Sequence, residues 1–137
     1  MKKLTLTIVC GAIVLGACFS LISRPANARS QYSKEFMKKY VGDEETDAQK
    51  NLAAAIKKVK KCNVCHDPNQ KTEEGKSSKK FRNPYGEELA KLLTKKDKKD
   101  KARINKSLET VAAKKSVGGD ATYGNLIEKG ELPYSAK

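Results

Sequence analysis

Residues 60–70 read KKCNVCHDPNQ, and Cys62, Cys65 and His66 within them hold chemistry that the rest of the chain lacks. His66 is the single histidine of 137 residues, and the remaining two of the four cysteines, Cys10 and Cys18, lie far upstream in an apolar leader. Two thiols three positions apart with an imidazole directly after them can ligate a metal, exchange a disulfide or anchor a prosthetic group. The surroundings of the motif decide among these.

The chain opens with Lys2 and Lys3, followed by residues 4–22, which are apolar apart from small and hydroxylated side chains. Ala26-Asn27-Ala28 then supplies the small-x-small pattern at which signal peptidases cut, so residues 1–28 are expected to be an export signal. Leu15-Gly16-Ala17-Cys18 also fits a lipoprotein leader, and the apolar stretch is long enough as a helix to remain as a membrane anchor. Each of these fates puts the remainder outside the cytoplasm, periplasmic or facing outward. In that oxidising setting a lone Cys62–Cys65 pair closes too short a loop to staple a fold.

Lysine and arginine number 29 against 16 acids, and only Lys2, Lys3 and Arg24 of those bases precede residue 28. An exported basic domain meets acidic proteins or anionic lipid surfaces; nucleic acid is not expected. Binding single strands would also need stacking aromatics among the charges, and the run TKKDKKDKAR at 94–103 has none. That run reads as a solvated connection.

Residues 29–45 read as a polar N-terminal arm with one short amphipathic piece, in which Phe36, Met37, Tyr40 and Val41 fall close in helical spacing. A firmer helix starts at Thr46, where Thr46-Asp47-Ala48-Gln49 fits a capping box, and Leu52, Ala55, Ile56 and Val59 form its apolar face. Glu44 and Glu45 before it and Lys57, Lys58, Lys60 and Lys61 at its end carry the signs the helix dipole favours. It delivers Cys62 at its end. Residues 67–82 are polar and lysine-rich, a surface loop. Asn83-Pro84 opens the next helix, with Tyr85, Leu89, Leu92 and Leu93 apolar. A third segment carries Ile104, Leu108, Val111 and Ala112 until Gly118 and Gly119, and a short last helix spans 123–128. No period-two alternation appears, so the domain at 46–137 is expected to be all-α, a bundle of about four short helices. YGEELAKL at 85 and YGNLIEKG at 123 share helix-start chemistry, with too little identity for a repeat.

A structural zinc site wants four ligands, and beyond the leader the chain has no cysteine or histidine besides these three. A thioredoxin-like dithiol belongs beside a βαβ pattern, which is absent here. CxxCH is the attachment signature of c-type haem: the thiols add to two vinyl groups on one porphyrin edge, and the histidine falls beneath the iron. A covalently held haem would give Leu52, Ile56, Leu89, Leu92, Ile104 and Leu108 an apolar surface to close upon, in a domain short of large apolar residues. Arg82, Lys79 and Lys80 are candidates for pairing with its propionates, with Tyr85 adding a hydroxyl and Tyr123 a further pocket position.

Exported, basic, helical and carrying a single Cys62-Asn63-Val64-Cys65-His66, the chain resembles the small monohaem cytochromes c. The specific likeness covers five residues; the helix leading into the motif is similar in architecture only. The resemblance implies one covalent haem c on Cys62 and Cys65, His66 as axial ligand, and single-electron transfer between redox partners rather than catalysis. Such cytochromes usually take their second axial ligand from a methionine well after the motif, and no methionine follows His66. Met37, in the arm, is the only methionine beyond the leader. It is read either as packing beside Phe36 and Tyr40 or as the sixth ligand. Tyr85, Tyr123, a lysine, another molecule or an open position are the other readings of that site, and an open position would make the protein a haem-based binder or sensor of small ligands. A zinc or thiol-disulfide protein stands behind both.

Overall fold

The computed structural model describes residues 28–75 and 81–134. Residues 1–27 of the leader, with Cys10 and Cys18, and the propionate candidates Lys79 and Lys80 lie outside them. Five α-helices run through the described residues: α1 (Ala28–Phe36), α2 (Asp47–Val59), α3 (Pro84–Leu92), α4 (Lys101–Ala112) and α5 (Tyr123–Glu128). A π turn, Met37–Val41, extends α1, and 3-10 turns occupy Lys61–Val64 and Lys95–Lys99. Isolated β-bridges join His66 with Arg82 and Lys115 with Thr122, and no described residue belongs to a strand. The fold is all-α.

Side-chain caps start every helix after α1. Thr46 Oγ1 accepts the Gln49 N–H at 3.2 Å while Gln49 Oε1 accepts the Thr46 N–H at 2.9 Å, closing the capping box. Asn83 caps α3 with Pro84 in its first turn, Asp100 accepts the Arg103 N–H at 2.8 Å, and Thr122 accepts that of Asn125 at 3.1 Å. Helix α4 packs against α1, α3 and α5, and α2 against the π turn and α5. Leu52, Ile56, Tyr85, Ile104, Leu108 and Tyr123 form the centre of this core.

Residues 29–45 join that core. Phe36 and Val41 are each 2 % exposed, and the Phe36 ring lies 5.0 Å from that of Tyr40 and 6.0 Å, edge-on, from that of Tyr85. The Tyr32 hydroxyl donates to the Thr94 carbonyl, and Lys39 pairs with Glu109 at 2.7 Å. The polar composition that sets this segment apart in sequence does not set it apart in space, because its few apolar side chains face one way. The adjacent aromatic Phe36 and Tyr40 are enough to anchor it.

The two Tyr-Gly helix starts are used alike. Tyr85 and Tyr123 meet edge-on in the core with ring centroids 5.2 Å apart, while Gly86 and Gly124 press against backbone carbonyls of Cys65 and Ala112. Both caps turn the tyrosine inward at the first turn, where the following glycine lets backbone approach backbone.

Truncating Phe36 tests the anchoring of the first segment. Phe36→Ala should lower unfolding stability by about 3 kcal/mol, as expected for a buried phenylalanine. Urea unfolding followed by circular dichroism reads this, and an unchanged midpoint would mean that α1 does not belong to the cooperative core.

Candidate functional site

The helix that leads into the motif, α2, stops at Val59. Lys60 takes φ +71, which a lysine adopts only under constraint, and the Asn63 side chain turns back to donate to the Val59 carbonyl at 2.6 Å. The chain then winds one 3-10 turn in which the N–H groups of Cys65 and His66 both donate to the Cys62 carbonyl, at 3.3 and 3.1 Å. Cys62 is exposed, Cys65 and His66 are half-buried, and the two thiols are not joined in a disulfide.

The segment FRNPYG, residues 81–86, grips this turn along its length. Asn83 Nδ2 donates to the carbonyls of Asn63 and Val64, at 3.2 and 3.0 Å, and its backbone N–H donates to that of Cys65 at 3.2 Å. Its Oδ1 accepts the Gly86 N–H at 2.9 Å, so one buried carboxamide both caps α3 and ties it to the residues between the cysteines. Gly86 lies so close that a Cβ there would sit 1.9 Å from the Cys65 carbonyl oxygen. On the far side, the Phe81 carbonyl lies 3.0 Å from His66 Nδ1 and accepts the Asp67 N–H at 3.3 Å. A carbonyl can only accept, so Nδ1 carries the proton and the lone pair of the neutral imidazole is on Nε2.

Burial, with the neighbouring Cys62 adding to it, pushes the Cys65 thiol up to about 12. The Tyr85 hydroxyl rises well above its ordinary value, chiefly through burial and then through Cys65, Tyr40 and Tyr123. Burial and Glu109 push Tyr40 up to about 12. The hydroxyls of Tyr40 and Tyr85 have no hydrogen-bond partner among the described residues. Outside, Lys57, Lys58, Lys60 and Lys61 are all exposed beside Cys62.

The site residues expected from sequence divide into two groups. Cys62, Cys65 and His66 lie on one turn, with Arg82 bridged to His66 through the backbone and its guanidinium 3.7 Å from Glu87. Leu52, Ile56, Tyr85 and Tyr123 are at most 1 % exposed and Leu89 6 %, packed on one another in the core, while Met37 packs against that core from the π turn. Sequence reading saw Asn83 only as a cap and missed its hold on the motif, although a glycine in the first turn of a helix signals a close backbone approach. The Phe81 carbonyl carries no side-chain signal at all.

For a haem on this motif the donors fit: two thiols in the required spacing, and an imidazole whose Nδ1 is held by a carbonyl, as that of a ligating histidine usually is. The core as folded does not form an enclosing pocket from the expected residues, since the lining of a haem-sized void would be accessible to water. The two clefts that stand out, of about 500 Å³ between residues 116–121 and 130–134 and about 350 Å³ between the π turn and α4, do not include the motif. Among the described residues no three cysteine, histidine or carboxylate side chains converge on a metal-sized point. Comparisons with protein-family models, with curated proteins and with solved structures return no match.

Gly86→Ala should cost about 3 kcal/mol, because the new methyl would meet backbone rather than a side chain that can yield; a urea midpoint within error of the parent would show that α3 does not press on Cys65. The raised thiol and phenol set a second expectation. Their folded pKa values exceed the ordinary 9.0 of Cys65 and 10.0 of Tyr40, so the folded state holds these protons more tightly. Their contribution to stability is complete below about pH 9 and is lost as pH rises toward about 12. Urea midpoints measured across that range should fall, and a flat profile would mean that these groups are solvated.

Proposed function

We propose that this chain is an exported monohaem c-type cytochrome that carries single electrons between redox partners. The observation that carries the reading is the fixed imidazole: His66 directly follows the thiol pair, and the Phe81 carbonyl leaves the lone pair on Nε2, the nitrogen suited to an axial bond. Cys62 and Cys65 would hold the group covalently and His66 would ligate its iron; haem bound there supplies a one-electron couple. The thiols themselves are poorly suited to disulfide exchange. They follow the C-terminal end of α2 instead of opening a helix, and burial holds the Cys65 thiol in its protonated form.

The four exposed lysines around Cys62 favour a carrier over an isolated binder, since they frame the attachment edge with positive charge. An acidic redox partner would be steered there, with a rate that falls as salt is added. A haem-based binder of small ligands is the second reading. What favours it is the core placement of Met37, Tyr85 and Tyr123, with the phenols held protonated and so poor ligands. No described helix is long and apolar enough to cross a membrane, and the export signal remains an expectation from residues 1–28.

Expression in a host that attaches c-type haem should yield covalent haem that resists acidified-acetone extraction, lost in the Cys62→Ala/Cys65→Ala double variant. His66→Ala should retain covalent haem with an altered spin state. A low-spin reduced spectrum unmoved by carbon monoxide supports the carrier, and rapid carbon monoxide binding supports the binder. Absence of covalent haem in the parent chain sinks both.

A further inference from the structure

Asn83 does more than begin a helix. Capping α3 uses only its Oδ1, a task that serine or aspartate performs as well. The other half of the carboxamide, the NH2 group, is committed to the Asn63 and Val64 carbonyls, which are the two residues between the thiols. The side chain is 1 % exposed, so these bonds do not compete with water. Among uncharged side chains only a carboxamide joins two donors and an acceptor in one rigid plane. Aspartate would turn an acceptor toward two carbonyl oxygens, and serine is too short to hold both.

We propose that Asn83 is a positioning residue for the two cysteines: by gripping both carbonyls between them it keeps Cys62 turned to solvent and Cys65 turned into the protein, and so fixes how the pair is presented to any reacting group. The same segment sets the next residue, through the Phe81 carbonyl on His66 Nδ1, and Gly86 against Cys65 leaves the turn no room to slide. Thiol presentation, imidazole orientation and the start of α3 are thereby one mechanical unit. The inference rests on residues 62–66 being the functional site, and not on which group they hold.

The experiment uses the full haem-free chain, reduced, and compares the parent with Asn83→Ser, which keeps the cap acceptor, and with Asn83→Asp. Iodoacetamide labelling of each cysteine is followed by peptide mass spectrometry, and the His66 ring nitrogens are read by ¹⁵N NMR. In the parent, Cys62 should react at least about tenfold faster than Cys65; in Asn83→Ser the Cys65 rate should rise to within about threefold of Cys62, the imidazole shifts should move, and helix content should stay unchanged. A folded Asn83→Ser chain that still protects Cys65 with unmoved His66 shifts would reduce Asn83 to a cap and overturn the proposal. Should neither variant fold, the side-chain amide protons of Asn83 in the parent decide: slow exchange relative to exposed Asn125 supports the grip, and equal exchange refutes it. Failure of haem attachment leaves each of these outcomes standing.

Discussion

Helix α3 is bolted to the 3-10 turn of the motif through one buried carboxamide and one missing side chain. Asn83 supplies the hydrogen bonds and Gly86 the close approach, and either alone would leave the turn loose. A 3-10 turn has poor hydrogen-bond geometry and little reason to persist by itself. It persists because its carbonyls are taken by a neighbouring element whose position is fixed in turn by Tyr85 in the core. Local and tertiary structure are here the same set of bonds.

From Tyr85 the constraint spreads through the aromatic contacts. Its ring meets Phe36 on one side and Tyr123 on the other, so the N-terminal segment, the helix behind the motif and the last helix are joined by edge-on ring pairs. Helix α4 closes the body with Ile104, Leu108 and Val111, all essentially inaccessible to water. The hydroxyls of Tyr40 and Tyr85, without a partner among the described residues, are a cost that this packing sustains, each such buried polar group being worth about 1–3 kcal/mol.

The chemistry sits where the core ends. Cys62 faces solvent beside four exposed lysines, Cys65 faces inward, and His66 is held edge-on by a carbonyl, so the motif offers one accessible thiol, one protected thiol and one oriented nitrogen. The two thiols and the imidazole sit together on one turn. The ion pairs elsewhere, such as those of Glu88 with Lys91 on its own helix and with Lys114 just past the end of α4, are partly exposed and add little.

Much of this was legible along the chain. The capping box at Thr46, the Asn83-Pro84 start, the helix at 123–128 and the absence of strand periodicity are local properties, set by side chains that bond to their own backbone within a turn, and the motif itself lies within five consecutive residues. The core membership of Phe36, the second use of Asn83, the Phe81 carbonyl and the mutual packing of Leu52, Ile56, Tyr85 and Tyr123 were not legible. Each depends on partners far apart in sequence, or on a backbone group that has no side-chain signature. Sequence by itself determined where α2, α3 and α5 begin and which atoms can react, while the start of α4 fell inside the run read as a solvated connection. Tertiary structure decided which way those atoms face, because orientation comes from contacts between segments whose meeting no periodicity encodes.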